Sequence, residues 1–228
     1  VYPYEFLREI PVKVSVSELN KRAHHDFYEK EENIVAEPEE EENPIVPEFI
    51  EKQEVYTGAS RGTAYHRVME CIDYSRVSSV EEIKIQIKEL LMQKKLKEKE
   101  AECVHPGDIL AFATSSLGQR MKKASENRLL FREQPFVISR EAGELNPDWK
   151  GESVLVQGIM DAYFMEDGEL ILVDYKTDKV RKGEEHILLE RYRNQVLDYA
   201  EALSRAAGKP VKEAYIYSFG LGKEIEVE

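Results

Sequence analysis

Cysteine is almost absent: the 228 residues hold two, Cys71 and Cys103, far apart and in no C-x-x-C arrangement. That spacing argues against a zinc site, an iron–sulfur cluster or a disulfide framework, and leaves two reduced thiols of a cytosolic protein as the plain reading. Long apolar runs are missing too. None approaches the ~20 residues of a membrane-spanning helix, so no membrane is expected among the partners. There is no G-x-G-x-x-G and no Walker lysine loop, so nucleotide binding by this piece is not expected. The start, Val1-Tyr2-Pro3-Tyr4, lacks both an initiator methionine and the basic-then-apolar pattern of a secretion signal. It reads as a piece cut from something longer.

Positive charge is in short supply, and the net charge of −13 looks wrong for a nucleic-acid binder. Its location removes the objection. Residues 29–54 hold eleven Glu and two Lys, a local charge of −9 that leaves −4 for the rest of the chain. This stretch includes the run Glu39 to Glu42, flanked by Pro38, Pro44 and Pro47. It self-repels and has little apolar surface to bury, so it is expected to be a flexible spacer. The domain organisation that follows is an N-terminal segment, 1–28, packing on the body, an acidic linker, 29–54, and a core, 55–228.

What is present is a switch of period along the chain. Ser15 or Ser17 is placed to cap a short helix reaching about His25 to Tyr28. Tyr65, Val68, Met69 and Ile72 recur at helical spacing, as do Ile83, Ile87, Leu90 and Leu91, which predicts helices from about Gly58 and over Val80 to Lys99. Another is expected from Ile109 to about Ala124. The period then becomes that of strands over Leu129 to Ser139, Ser153 to Met165 and Glu169 to Lys176, with Glu166-Asp167-Gly168 as the hairpin turn between the last two. A long helix, Ile187 to Ala206, stops at Gly208-Lys209-Pro210. A strand from Val211 to Phe219 and an edge strand after Lys223 complete the order. Helix, strands, helix, strand gives an α/β fold with a central mixed sheet flanked by helices.

The chemistry lies at the end of one strand. Leu170-Ile171-Leu172-Val173 is a continuous apolar run, the mark of a strand buried on both sides, and it ends in Asp174-Tyr175-Lys176. Residues i and i+2 share a face, so Asp174 and Lys176 point one way and Tyr175 the other. Across the hairpin, Gly158-Ile159-Met160-Asp161 brings a second carboxylate to the same end. Two carboxylates there repel unless a cation lies between them, and hard oxygen ligands without cysteine favour Mg²⁺ or Mn²⁺. A D-x-K alone is often a surface ion pair. Here it follows a buried run and faces a second aspartate.

These residues resemble the PD-(D/E)XK nuclease superfamily, in detail its RecB-type nuclease domain. Asp161 and Asp174-Tyr175-Lys176 carry the likeness, with Gly62-Thr63-Ala64-Tyr65-His66 similar to a G-x-x-x-H helix motif and Gln195-Val196-Leu197-Asp198-Tyr199 to a Q-x-x-x-Y motif. The segments Ile10 to Leu19, Arg61-Gly62-Thr63 and Glu133-Gln134-Pro135-Phe136 extend it to the C-terminal nuclease domain of bacterial ATP-dependent helicase/nucleases. The resemblance implies a restriction-endonuclease-like fold and an exonuclease-type, metal-dependent deoxyribonuclease. It makes His66, Asp161 and Asp174 metal ligands together with the main-chain carbonyl of Tyr175, and Lys176 the catalytic lysine. Gln195 and Tyr199 become supporting or DNA-contacting residues. It further implies a helicase motor in the same full-length chain, a second AddB-like subunit, single-stranded DNA ends as substrate, double-strand break repair by homologous recombination, and the bacterial cytoplasm.

Residues alone say less. His66 lies just off an apolar helix face, where a histidine is usually a satisfied flank residue, and Tyr199 suits core packing equally well. Glu133 reads as a structural cap or ion-pair partner rather than an acid of the site. Asp178, Glu184 and Glu185 fall in a lysine-rich loop and are expected to be solvated, with Arg191 and Arg193 nearby to meet phosphates. His24, His25, His105 and His186 have no such context. The rival class is a catalytically inactive nuclease-fold module for DNA binding or subunit docking. Intact Asp161, Asp174 and Lys176 argue against it.

Overall fold

The computed structural model describes residues 10–23 and 58–228, so the acidic segment 29–54 and the role expected of it lie outside the described residues. In chain order the elements are β1 (Lys13–Ser15), α1 (Val16–Ala23), α2 (Gly58–Cys71), α3 (Val80–Met92), α4 (Glu98–Cys103), α5 (Pro106–Thr114) and α6 (Ser116–Glu126). There follow β2 (Leu130–Glu141), β3 (Ser153–Glu166), β4 (Glu169–Lys176), α7 (Glu185–Ala207), β5 (Val211–Ser218) and β6 (Lys223–Glu226). The strands form a six-stranded mixed sheet in the order β1-β3-β4-β5-β6, with β2 also paired to β3. β1 runs parallel to β3 and β4 to β5, while the β2–β3, β3–β4 and β5–β6 pairs are antiparallel. This is the α/β arrangement of a restriction-endonuclease-like fold.

Local chemistry sets the element ends. Ser15 and Glu18 form a reciprocal cap: the Glu18 amide donates to the Ser15 hydroxyl at 3.1 Å, and the Ser15 amide to the Glu18 carboxylate at 2.9 Å. Ser15, not Ser17, therefore starts α1. At the far end of α7, Gly208 takes the left-handed conformation (φ 69°) that closes a helix.

Two expected helices are broken. The stretch from Val80 stops at Met92, because Lys94 adopts φ 56° and the Lys95 and Lys94 amides turn back to the carbonyls of Leu90 and Leu91, both at 3.0 Å. This is a Schellman closure with lysine where glycine is usual, which hid it in the sequence. The helix expected over 109–124 divides at Ser115, whose hydroxyl accepts the Gly118 amide at 3.1 Å and so caps α6. α5 and α6 cross so closely there that a Cβ at Gly118 would fall 2.0 Å from the Phe112 carbonyl oxygen.

Each face of β4 meets its own core. Ile171, Val173 and Tyr175 pack with Tyr65, Met69, Ile83, Phe112 and Met121 from α2, α3, α5 and α6. Leu170 and Leu172 pack with Leu188, Tyr192, Val196 and Leu203 of α7 and with Val16 of α1. Each such side chain taken fully out of water stabilises the fold by roughly 1.5–3 kcal/mol, which is why this strand reads as an unbroken apolar run.

The β2–β3 ribbon holds one register from Leu130↔Phe164 to Glu141↔Ser153, yet it exchanges faces part-way along. Val154, Val156 and Met160 pack in the α7 core, whereas Ala162 and Phe164, of the same parity, pack in the other. The exchange falls next to Asp161. On β2, the residue between the pairs Arg132↔Ala162 and Gln134↔Met160 is Glu133, which has φ 48°. A non-glycine residue in that region costs of order 1 kcal/mol.

Candidate active site

β3 and β4 pair up to Ala162↔Val173 and then part, so Asp161 and Asp174 are the next residues along each strand. Beyond that point side chains replace the ladder. The Tyr175 amide donates to Asp161 Oδ2 at 2.7 Å, and the Tyr175 carbonyl lies 3.0 Å from His66 Nε2. His66 Nδ1 is 3.0 Å from Asp161 Oδ1. With a carboxylate on one side and a carbonyl on the other, both ring nitrogens donate, and the imidazole is charged.

Helix α2, which carries His66, is tied down at both ends. Arg61 donates to the Thr177 carbonyl at 3.2 Å, just past β4. Arg132 of β2 donates to the carbonyls of Ile72 and Met69, at 2.7 and 3.3 Å, where the end of a helix is electronegative.

Asp174 and Lys176 share a face, as strand geometry requires, and Tyr175 points into the opposite core. Lys176 Nζ stands 3.2 Å from Asp174 Oδ2 and 4.3 Å from the centre of the Tyr192 ring. Both charged side chains are buried, with 7% and 2% of their surfaces exposed. Asp174 Oδ2 has no hydrogen bond of good geometry beyond that ion pair.

Burial and mutual charge set the protonation states. Burial pushes Asp174 up, and Asp161 adds to this against the pull of Lys176, leaving it at about 7. Burial also works against a charged His66, but the Asp161 carboxylate prevails and raises it to about 9. Asp161 itself, though buried, is held below the usual carboxylate range by His66, by Lys176 and by the Tyr175 amide. Glu133 is pushed up to about 7 by burial and by Asp161.

His66, Glu133 and Asp161 each offer a ligand atom, all within 4.8 Å of one another, the arrangement of a metal site among the described residues. Carboxylates, a carbonyl and one imidazole suit a hard divalent cation, and the orphaned Asp174 oxygen beside them is a further donor. The residues therefore fit the metal that the sequence led us to expect. The charge such an ion would supply is here carried by His66 and Lys176.

Glu133 corrects the expectation that it merely caps or pairs, since it has no side-chain hydrogen bond or ion pair among the described residues and faces the site. Nothing in its sequence neighbourhood signals this; only the register opposite Asp161 does.

Helix α7 closes the other side. The Gln195 amide donates to the Tyr199 hydroxyl at 3.0 Å, so its partner is one turn away on the same helix and not the sheet end. The Tyr199 ring meets Phe136 edge-on at 5.6 Å, and a Cβ at Gly158 would come within 2.8 Å of Phe136, which explains the glycine. Burial, with Asp174 near, raises the Tyr199 hydroxyl far above its ordinary value, so it stays protonated.

Two expectations for the neighbouring loop fail. Asp178 is fully buried, not solvated, and pairs with Arg191 at 3.1 Å and with the Tyr192 hydroxyl at 3.0 Å. Arg191 is 1% exposed and cannot meet a phosphate. Arg193 is occupied too, donating to the Glu228 carbonyl at 2.6 and 2.9 Å.

A mixed sheet that ends in a histidine, three carboxylates and a buried lysine defines a class of metal-dependent phosphodiesterases, and the sequence agrees. Residues 27–225 match the PD-(D/E)XK nuclease superfamily, and the chain belongs to that family. Among curated proteins it is 36% identical over 231 residues to the larger, "A" component of the ATP-dependent helicase/nuclease of Clostridium beijerinckii, and 37% identical over 230 residues to its counterpart in Thermoanaerobacter sp. strain X514. Each match covers 99% of this chain and 18% of the relative, so the chain spans about a fifth of the length of the curated proteins it resembles. A solved structure, that of SSO0001, covers 71% of this chain and 65% of its own at 18% identity, with a TM-score of 0.36, and carries no weight here. No helix among the described residues is long and apolar enough to cross a membrane.

Proposed function

We propose that this chain is the nuclease module of a bacterial helicase/nuclease and hydrolyses DNA phosphodiester bonds with Mg²⁺ or Mn²⁺. The observation that carries the reading is the meeting of His66, Asp161 and the Tyr175 carbonyl with the Asp174–Lys176 pair where β3 and β4 part. His66, Asp161, Asp174 and the Tyr175 carbonyl are the groups to hold the cation. A divalent cation bound there supplies Lewis-acid polarisation of the phosphate and acidifies water.

The chain's own residues supply the rest. Lys176, fixed between Asp174 and the Tyr192 ring, presents an ammonium to the negative charge that develops on the phosphoryl oxygens. The dry setting strengthens that interaction. Gln195 and Tyr199 wall the site on the α7 side and hold neutral hydrogen-bonding groups where Asp174 and Lys176 emerge.

The relatives' names combine an ATP-dependent helicase with a nuclease. They support a module tethered to a motor and paired with a second, AddB-like protein. Its place would be the cytoplasm, on single-stranded ends produced by unwinding during double-strand break repair by homologous recombination. End-labelled single-stranded DNA incubated with the chain and Mg²⁺ tests the activity. Cleavage that stops on chelation is expected. Intact DNA with both Mg²⁺ and Mn²⁺ would leave a module that binds without cutting.

A further inference from the structure

We propose that Glu133 is itself a ligand of the cation, completing with His66 and Asp161 a three-side-chain site drawn from β2, α2 and β3. The inference rests on the nuclease reading above and adds a residue that neither the D-x-K pair nor the two helix motifs contain. Three observations carry it.

First, the distances suit one ion. Ligands about 2.1 Å from a magnesium-sized ion lie roughly 3 to 4.2 Å apart. The His66, Glu133 and Asp161 ligand atoms already lie within 4.8 Å of one another, so a closing of well under about 1 Å brings them to a common centre. Asp174 falls outside that group and is held by Lys176 instead.

Second, the Glu133 carboxylate is left over. Asp161 accepts from His66 and from the Tyr175 amide, and Glu70 is taken by Arg67. Glu133 has no side-chain hydrogen bond or ion pair among the described residues, although Arg67, Glu70 and His66 are all close enough to be felt by it. A partly buried carboxylate set against another one without a donor is a poor structural device. It is a good ligand.

Third, the backbone directs it there. The ribbon holds its register through the pairs on either side of Glu133 but exchanges faces at this point, so the residue opposite Asp161 is turned toward the site. The chain keeps a glutamate at φ 48°, where glycine or asparagine would be easier.

The test is binding of Mn²⁺ alone to the whole chain, read by titration calorimetry and by the signal of free Mn²⁺ in electron paramagnetic resonance. Glu133→Gln keeps the shape and removes the charge. We expect it to weaken Mn²⁺ at least tenfold, with the unfolding midpoint in chelator unchanged or raised. Glu133→Asp should fall between it and the wild type. Glu70→Gln, which removes a nearby carboxylate already engaged by Arg67, should change the affinity less than threefold. Wild-type affinity in Glu133→Gln, with Asp161→Asn defective, overturns the role of Glu133 and leaves the nuclease reading standing. An equal loss in Glu70→Gln also overturns it, by reducing the effect to the general field. A wild-type chain that takes up no Mn²⁺ at millimolar concentration overturns both.

Discussion

Replacing Asp174 by asparagine in the absence of metal should make the protein more stable at alkaline pH, although it removes a residue the site cannot do without. Asp174 is 1% exposed and its pKa is raised from the ordinary 3.8 to about 7. A raised acid pKa means that the folded state keeps its proton to higher pH than the unfolded state does. Stability is therefore lost as pH climbs from 3.8 to about 7, by about 1.4 kcal/mol for each pH unit between the two values. The full difference is about 4 kcal/mol, a ceiling because Asp161 and Lys176 readjust with it. Asparagine resembles the protonated acid and escapes the loss.

Urea unfolding in chelator should thus give nearly equal stabilities at about pH 4 and an advantage of up to about 4 kcal/mol for Asp174→Asn at pH 8. Magnesium should reverse the order. At ten times its dissociation constant it stabilises the wild type by about 1.4 kcal/mol, and the variant hardly at all. His66 adds a slope of the same sign in both proteins: raised to about 9, it contributes stability that is complete below 6.5 and lost as pH passes 9. A variant less stable than wild type at pH 8, or a difference that ignores pH, would refute the account of the two aspartates.

Lys176→Ala should abolish cleavage, by about 10²-fold or more in kcat, while leaving most DNA affinity, because the ammonium acts on charge that appears only in the transition state. Equal rates in the two proteins on labelled single-stranded DNA would point to the non-catalytic reading. Asp178→Ala should cost about 3–5 kcal/mol in urea unfolding, since it leaves the Arg191 charge, 1% exposed, without its carboxylate. A loss below about 1 kcal/mol would mean that Arg191 reaches solvent after all.

Much of this was legible in the chain, and the residues show why. The apolar run 170–173 could only be a strand covered on both sides, and strand parity alone put Asp174 with Lys176 and turned Tyr175 away. The stop of α7 at Gly208 followed from the left-handed preference of glycine.

The failures share another cause: they depend on partners brought together only by packing. Ser115 divides a helix because α5 and α6 cross at Gly118, an event that composition does not record. Asp178 looked solvated among lysines, yet it is buried against Arg191 and Tyr192 of α7. Glu133 was visible as an acid near a strand, but no hydrophobic pattern announces a ribbon that trades faces without losing register.

That trade has a consequence for how the protein can change. In an ordinary hairpin a one-residue insertion shifts one strand against the other and turns its side chains over, and the damage is confined to burial. In β2 and β3 the same event would move the crossing itself. An insertion before Glu133 would slide a different residue opposite Asp161 and at the same time send Leu130 or Phe136 to the wrong core. Length changes in these two strands are therefore admissible only in matched pairs on the same side of the crossing. A comparison of related sequences should find the spacing from Glu133 to Phe136 locked to the spacing from Gly158 to Asp161, even where the residues between them differ.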